Sequence, residues 1–274
     1  MSQPILQVKG LRKVYPSAHG EFVAVDNVNF DLARGGSVGI VGESGSGKTT
    51  TARMLIGLER PTAGQIMIDG ADHSRPAGPS REWRRRGRRI QIVFQDPYTS
   101  LDPTMPVAAC LAEVIGLHFD LDRAAVTARV LELADMVGLD DRQLAARPSA
   151  LSGGQRQRVA IARALAAEPK VLILDKAVSA LDVSIQAQIL NLLADIREET
   201  GISYLFISHD LAVIRQICDR CLVMRKGMVV ESGDTATLLD NPQHSYTRLL
   251  RDSVPRPGWE PKEFLPYAVS GEPE

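Results

Sequence analysis

The spacing of apolar residues in the first third of the chain predicts β-strands separated by turns. Short apolar or alternating runs are bounded by Gly, Pro, Asn and Asp, which favour turns. The predicted strands are Leu6–Val8, Phe22–Val25, Val28–Leu32, Ser37–Val41, Gln65–Ile68 and Arg89–Phe94.

The pattern changes to helical spacing between Val107 and Val137. This stretch is rich in Ala, Leu and Glu, and its apolar residues recur three or four positions apart. We therefore expect a helical lobe, which we place at about residues 98–163.

After Pro169, strands and helices alternate. This pattern favours a mostly parallel sheet with crossover helices, and hence an α/β fold. The predicted elements are the strand Val171–Leu174, the helix Ser184–Glu199, the strand Ser203–Ile207 and the helix Leu211–Ile217.

The end of the chain predicts a hairpin and then an irregular segment. Arg220–Met224 and Met228–Glu231 flank Lys226-Gly227, which is typical of a hairpin turn. Residues 241–274 contain six prolines in 34 positions. We expect a Pro-rich, mostly irregular extension that follows a single domain over residues 1–240.

Composition and charge exclude several classes of protein. The 274 residues carry 32 Lys and Arg against 33 Asp and Glu, a net charge of −1, and 44% are hydrophobic. These values exclude disordered and collagen-like chains and give no overall attraction to nucleic acid or anionic lipid. No apolar stretch is long enough to span a bilayer, and Met1–Gly10 lacks signal-peptide character. We expect a cytoplasmic protein.

Two local clusters favour structural interpretations. The arginine run that begins at Arg81 and ends at Arg89 is interpreted as a solvated loop, with a surface contact as the alternative. Cys218 and Cys221 have the spacing of a metal or redox pair, but a second pair is missing. With Cys110, they are expected to be reduced and partly buried.

The segment Gly42–Thr49 reads GESGSGKT and fits the P-loop pattern G-x-x-x-x-G-K-[ST]. It lies between a predicted strand and a predicted helix from Lys48 to about Leu58, as a P-loop requires. Glycines let backbone N–H groups turn toward phosphate oxygens, and the helix N-terminus adds partial positive charge. Lys48 would reach the β- and γ-phosphates, and Thr49 would ligate Mg²⁺.

Three further segments would complete a nucleotide site. Asp175 ends a buried strand at the carboxyl edge of the predicted sheet, where a carboxylate can hold Mg²⁺. Ser152 and Gln155 form a capping box, and the two glycines between them expose N–H groups at a helix start. His209 follows another strand and could contact a γ-phosphate, although most such histidines are ordinary loop residues.

Six motifs in this order resemble the ATP-binding subunit of an ABC transporter. The resemblance covers about Leu6 to Leu250. The motifs are Walker A at Gly42–Thr49, Gln95, the signature Leu151–Gln155, Walker B at Val171–Asp175, Ser179–Asp182 and His209. The resemblance implies a P-loop ATPase core with an antiparallel β subdomain and an inserted helical subdomain.

The resemblance also implies roles for individual residues. Tyr15 would stack on adenine, and Gln95 would sense Mg²⁺ and the γ-phosphate. The signature would close over ATP held by a second ABC ATPase subunit. The implied ATP-binding residues are Tyr15, Gly42, Glu43, Ser44, Gly45, Ser46, Gly47, Lys48, Thr49 and Thr50, the implied metal ligands are Thr49, Gln95 and Asp175, and the signature residues are Ser152, Gly153, Gly154 and Gln155.

Two segments are similar to the oligopeptide/dipeptide importer group, which includes nickel importers. They are Phe94–Pro103 and Asn241–Leu250. The implied partners are two transmembrane permease subunits and a solute-binding protein, with membrane contact at the cytoplasmic face of a bacterial cell only through the permeases. Many relatives hold an iron–sulfur cluster near their C-terminus, but no cysteine follows Cys221, so this cofactor is not expected.

Lys176 departs from the family pattern. The residue after the Walker B aspartate is usually a glutamate that acts as general base on the attacking water. An ammonium cannot accept a proton or a hydrogen bond. We therefore expect slow or absent hydrolysis at this chain's own site, with the ammonium pairing with the γ-phosphate. Either the site is naturally degenerate within a heterodimer, or the lysine is a substitution that holds the ATP-bound state.

Two other classes of function remain open from the sequence. One is a soluble ABC ATPase that performs mechanical work, although coiled-coil insertions and a second cassette are missing from this sequence. The other is a regulatory or assembly subunit that does not hydrolyse ATP, which Lys176 would allow. Co-purification with permeases or with a soluble enzyme assembly would separate these alternatives from import.

Overall fold

The computed structural model describes residues 3–17, 20–75, 78, 80–96 and 100–253. The strands are β1 Leu6–Ser17, β2 Gly20–Leu32, β3 Ser37–Val41, β4 Ala63–Ile68, β5 Ala71–Asp72, β6 Ile90–Val93, β7 Val171–Asp175, β8 Ser203–Ser208, β9 Arg220–Arg225 and β10 Met228–Asp234. The helices are α1 Lys48–Ile56, α2 Ser80–Gly87, α3 Val107–His118, α4 Arg123–Val137, α5 Asp141–Ala145, α6 Gly153–Leu165, α7 Val183–Thr200, α8 Leu211–Ile217, α9 Thr235–Asp240 and α10 Ser245–Asp252, with a 3-10 turn at Pro148–Ala150.

The larger sheet has the strand order β10-β9-β3-β8-β7-β6. Its strands β9, β3, β8, β7 and β6 run parallel, and β10 is antiparallel to β9. Every residue of β3, β7 and β8 is buried, because both faces of this sheet are covered. The predicted α/β fold and its parallel sheet are therefore confirmed.

The smaller sheet is antiparallel, with the order β2-β1-β4-β5. The sequence predicted two strands at Phe22–Val25 and Val28–Leu32, and this was wrong, because one strand, Gly20–Leu32, covers both. Asn27 has a φ of +49°, and the pairing with β1 shifts there. The polar pair that resembled a turn is a bulge inside a continuous strand.

Two apolar clusters form the core. One fills the space between the two sheets and includes α1, with Leu6, Ile40 and Ile173 among its members. The other joins the opposite face of the larger sheet to α3, α4, α6 and α7, through residues such as Leu174 and Ile189. Because alternate residues of β7 enter different clusters, this strand reads as an unbroken apolar run.

The arginine run is not a loop, so that prediction was wrong. Its first four arginines lie in α2, Arg88 and Arg89 lie in the turn that follows, and Arg86 on the helix is only 4% exposed. The Arg86 guanidinium donates a 2.6 Å hydrogen bond to the Arg75 carbonyl and lies where a Cβ on Gly57 would be. Cation–π contacts order this surface further, with Arg86 over Trp83 and Arg88 over Phe119.

His73 is a buried titratable group that sets a pH dependence of stability. It is 3% exposed, its Nδ1 has no hydrogen-bond partner, and burial together with Arg86 and Arg89 lowers its pKa to about 4. The unfolded chain binds a proton at this histidine near pH 6.5, and the folded chain does not until about pH 4. The contribution of His73 to the free energy of unfolding is therefore fully present above pH 6.5 and is lost as the pH falls toward 4.

We expect the unfolding free energy to drop by about 2–3 kcal/mol through His73 between pH 7 and pH 4.5. Urea titrations of the wild type and of His73→Leu at both pH values would measure this contribution. The leucine variant should lose less stability on acidification by that amount. His209→Leu, which replaces an exposed histidine by the same residue, is the control for the substitution itself. Equal pH dependence in His73→Leu and the wild type would contradict the prediction.

The hairpin predicted near Lys226-Gly227 is confirmed as β9 and β10. Of the extension predicted at residues 241–274, residues 245–252 form the helix α10, and residues 254–274 lie outside the described residues. The three cysteines are buried. Within the described residues, no helix is both long enough and apolar enough to cross a membrane.

Candidate nucleotide site

Three neighbouring strands of the larger sheet end side by side. Val41 at the end of β3 pairs with Ser208 of β8, and Ile207 pairs with Asp175 of β7. The residues that follow these strand ends therefore share the carboxyl edge of the sheet, where parallel α/β sheets bind ligands. This edge carries Gly42, His209 and Lys176.

Two glycines shape the P-loop. Gly42 has a φ of +150°, and a Cβ there would lie 2.1 Å from the Met224 carbonyl oxygen. Gly47 has a φ of +100°, and its Cβ would lie 2.5 Å from the Ala24 carbonyl oxygen. Side chains at either position would collide with the backbone of β9 or β2. Only glycine lets the loop turn this tightly between those strands.

The Lys48 ammonium closes the loop. It donates hydrogen bonds to the carbonyl oxygens of Gly42 (2.7 Å) and Glu43 (2.6 Å) and to the Ser46 hydroxyl (3.1 Å). Lys48 is 4% exposed, and burial, with repulsion from Lys176, lowers its pKa to about 8. The loop thus holds a buried cation with two backbone carbonyl oxygens and one hydroxyl. The positive charge of this ammonium suits the pocket to an anion.

Asp175 and Thr49 offer oxygen atoms for a divalent cation. Asp175 is 5% exposed, and burial raises its pKa although a Thr49 hydrogen bond, Lys176 and Lys48 oppose the rise. Its Oδ1 is buried without a hydrogen-bond partner. An unpaired buried carboxylate oxygen beside a hydroxyl fits the oxygen ligands that Mg²⁺ prefers.

Lys176 lies beside these groups in an uncommon backbone conformation. Its φ is +52°, and its N–H donates a 2.8 Å hydrogen bond to the Ile207 carbonyl. Its carbonyl accepts from the Ser179 hydroxyl at 2.9 Å, which holds the following turn. The side chain is half-buried. Its charge adds to burial in lowering the pKa of Lys48 and opposes the rise that burial causes in the pKa of Asp175. Two ammonium groups therefore act on the same site.

Gln95 and His209 are both exposed at this edge. His209 precedes Asp210, which caps α8 by accepting from the Ala212 N–H at 2.8 Å. Gln95 follows β6 and lines a cavity of about 370 Å³ together with Gly153 and Gln157. The region Pro97–Thr99, where the sequence placed the start of the helical lobe, lies outside the described residues.

The signature residues begin α6 as the capping box predicted. The Ser152 hydroxyl accepts from the Gln155 N–H at 3.3 Å, and the Gln155 side chain accepts from the Ser152 N–H at 2.8 Å. A Cβ on Gly154 would lie 2.7 Å from Ile185, so close packing on α7 also requires this glycine. Among the described residues, no hydrogen bond joins positions 152–155 to the P-loop of the same chain.

The remaining predicted positions occupy different surroundings. Glu43, Ser44 and Gly45 are exposed at the P-loop tip, and Thr50 lies in the first turn of α1. Tyr15 is half-buried on β1, with the Lys13 ammonium 4.7 Å from its ring centre. Its stacking on adenine stays a prediction.

Sequence reasoning missed two buried polar residues near the site. Gln157 is 1% exposed, and its Nε2 has no hydrogen-bond partner where it lines the cavity beside Gln95. Tyr246 is 2% exposed, and its hydroxyl accepts a 3.0 Å hydrogen bond from the Glu43 N–H. Tyr246 was part of a segment recognised only as a family marker, and the sequence carried no signal for its contact.

Comparison with known proteins decides the family. The model of the ABC transporter family matches residues 25–179. The chain belongs to the ABC transporter family. A second model, described as the C-terminal region of oligopeptide/dipeptide transporters, matches residues 230–272. The family resemblance read from the six motifs is thereby confirmed.

Relatives of this ABC protein are similar over most of its length. A Brucella ovis protein named provisionally as a peptide import ATP-binding protein is 46% identical over 254 residues, which are 93% of this chain and 80% of the relative. The oligopeptide transport ATP-binding protein OppD of Mycobacterium bovis is 46% identical over 261 residues, which are 92% of this chain and 42% of OppD.

Solved ABC cassettes share the fold. The dimeric cassette MJ0796 in a post-hydrolysis state with ADP and phosphate has a TM-score of 0.76 and 30% identity, and the match covers 84% of this chain and 98% of MJ0796. The cbiO1 protein of Clostridium perfringens, part of the ABC transporter complex cbiONQ, has a TM-score of 0.76 and 29% identity, covering 88% of this chain and 92% of cbiO1. This ABC protein is an ATPase subunit whose nucleotide chemistry drives transport.

Proposed function

We propose that this chain is the ATP-binding subunit of a bacterial peptide importer and powers uptake of di- or oligopeptides through separate membrane subunits. The observation that carries the proposal is the convergence of Lys48, Thr49 and Asp175 at one sheet edge. The peptide substrate is supported by the transporter-specific match over residues 230–272 and by the names of the relatives.

In this proposal, the P-loop binds the triphosphate. Backbone N–H groups of residues 44–50 and the N-terminus of α1 face the phosphate oxygens, and Lys48 exchanges its loop oxygens for the β- and γ-phosphates. Mg²⁺, with Thr49, Asp175 and Gln95 as its ligands, would neutralise charge on the phosphates. His209 contacts the γ-phosphate, and Tyr15 stacks on adenine.

The nucleotide is shared between two subunits. Signature residues 152–155 start the helix α6, whose N-terminus can receive an anion, and among the described residues they lack hydrogen bonds to this chain's own P-loop. They would close over ATP bound by the partner, which we propose to be a second, non-identical ABC subunit. Dimeric relatives such as the MJ0796 cassette support this arrangement.

Lys176 impairs hydrolysis at this chain's own site in our proposal. Its ammonium takes the position of the general base and acts electrostatically on Lys48, which already lies in the phosphate pocket. A second cation at this place would pair with the γ-phosphate and retain ATP, while leaving the attacking water without a proton acceptor.

A groove lined in part by Phe94, the residue before Gln95 in the sequence, is the proposed docking surface for a permease subunit. It has a volume of about 600 Å³ and lies between the end of α1, α2, the end of β6 and the end of α3. Leu58, Leu117 and Trp83 are 61%, 49% and 42% exposed in it. Such apolar side chains gathered in one groove are typical of a protein interface. A membrane subunit seated there would connect Gln95 to the transport path.

The proposed function is tested with the full complex purified from membranes and reconstituted in vesicles with its solute-binding protein. We expect ATP-dependent uptake of a labelled tripeptide and loss of complex assembly in Leu58→Glu and Leu117→Glu. A buried charge at either position should weaken docking about tenfold or more. Leu131→Glu, 50% exposed on α4 outside the groove, is the matched control and should assemble normally.

Two results would count against this function. Equal assembly of all three variants would remove the groove from the interface. Purification of the chain with a soluble enzyme assembly, and without membrane subunits, would favour the regulatory alternative that Lys176 allows. Uptake of Ni²⁺ in place of the peptide would identify a nickel importer.

A further inference from the structure

The start of the C-terminal helix α10 is fixed to the hairpin of β9 and β10. The Glu231 carboxylate on β10 accepts hydrogen bonds from the N–H groups of Gln243 (2.7 Å) and His244 (3.2 Å). The His244 Nδ1 then accepts from the Tyr246 N–H at 3.1 Å, which caps the helix. These contacts set the position from which the Tyr246 side chain extends.

Tyr246 extends from this helix to the P-loop. Its side chain is almost fully buried, and the Arg225 guanidinium of β9 lies 4.9 Å from its ring centre. Its hydroxyl accepts the 3.0 Å hydrogen bond from the N–H of Glu43, the second residue of the P-loop. The two residues are 203 positions apart in the sequence, so the bond joins distant parts of the chain.

The same hairpin supports the P-loop at two other points. The Gly227 N–H donates to the Ser46 carbonyl at 3.1 Å, and the Met224 carbonyl is in close contact with Gly42. The hairpin therefore contacts the P-loop at both Gly42 and Ser46. The hydrogen bond of Tyr246 joins the helix α10 to the same loop. Within the loop, the Glu43 carbonyl in turn accepts a 3.2 Å hydrogen bond from the Ser46 N–H, so the contact with Tyr246 also supports this inner turn.

We infer that Tyr246 is a positioning residue for ATP, whose hydroxyl holds the first turn of the P-loop in its binding geometry. This inference deepens the proposed function and rests on the P-loop as the nucleotide site. A preorganised loop does not have to be ordered when ATP arrives, and this raises affinity. Removal of the hydroxyl leaves the Glu43 N–H without its partner and lets the turn move.

The test compares Tyr246→Phe with Tyr204→Phe in the full chain. Tyr204 is the matched control because it is also buried and also makes one phenol-to-backbone hydrogen bond, to the Leu193 carbonyl at 2.8 Å. It pairs with Ser37 at the start of β3, at the opposite end of that strand from the P-loop. Both variants should melt a few degrees lower than the wild type. Only Tyr246→Phe should raise the Kd for a fluorescent ATP analogue, by about three- to tenfold.

Hydrogen exchange gives a second readout that does not depend on nucleotide. Amide exchange in residues 42–46, followed by mass spectrometry without ATP, should become faster in Tyr246→Phe and stay unchanged in Tyr204→Phe. Unchanged exchange and unchanged Kd in Tyr246→Phe would overturn the inference, and so would equal changes in both variants. If Lys48→Ala also left ATP affinity unchanged, the nucleotide site itself would be wrong. Loss of affinity in Lys48→Ala alone would reject only the role of Tyr246.

Discussion

Replacing Lys48 by alanine is expected to abolish ATP binding at this chain's own site, with affinity falling by about 100-fold or more. The ammonium is buried and makes three hydrogen bonds within the P-loop, which ATP would replace with its phosphates. Loss of charge-assisted hydrogen bonds costs about 1.5–3 kcal/mol each, and about 1.4 kcal/mol corresponds to tenfold in affinity. Nucleotide photolabelling and equilibrium titration of the purified chain would measure the loss.

Lys170→Ala is the matched control for this measurement. Lys170 is exposed and lies just before β7, at the opposite edge of the same sheet from the P-loop. It should bind nucleotide as the wild type does. The melting temperature of Lys48→Ala would show whether the chain remains folded. Nucleotide retained by a folded Lys48→Ala chain would contradict the assignment of the P-loop.

The elements that the sequence predicted correctly were those in which local pattern and burial agree. Strand β3 and helix α8 have the predicted bounds because an apolar run or a helical repeat is bounded by turn residues or a cap. The arginine run forming α2 was not predictable in this way. Its helix depends on a buried contact of Arg86 with the end of α1, which no local pattern of charges reveals.

The same distinction between local pattern and distant packing applies to the residues of the candidate site. Gly42, Lys48 and Asp175 could be placed together, because strand ends of a parallel sheet share one edge and the P-loop has a fixed spacing. The contact of Tyr246 with Glu43 could not, since it depends on how a distant helix packs. The effect of Lys176 on the pKa of Lys48 likewise depends on a three-dimensional distance.

Replacing Lys176 by glutamate is expected to raise the rate of ATP hydrolysis at this site by about 100-fold in a single turnover. A general base contributes about 10²- to 10⁴-fold, and the ammonium now at this position cannot accept the proton of water. The exchange also removes the repulsion that, after burial, contributes to the lowered pKa of Lys48. Conversion of photolabelled ATP to ADP on this subunit, within the assembled complex, would measure the rate, and the steady-state ATPase rate of the complex should also rise.

Lys176→Gln separates the two effects of that exchange. Glutamine removes the positive charge and its action on Lys48 and Asp175, but it supplies no base. Both replacements must adopt the same left-handed backbone conformation, with φ near +52°, so backbone strain is similar in the two variants. If the missing base limits hydrolysis, only Lys176→Glu will be fast. If charge repulsion limits it, both variants will be fast, and an unchanged rate in Lys176→Glu would show that Lys176 does not limit turnover. We expect a fast glutamate variant and a slow glutamine variant. Because the glutamine variant also removes the positive charge and adopts the same backbone conformation, this result would assign the slow hydrolysis to the lost proton acceptor.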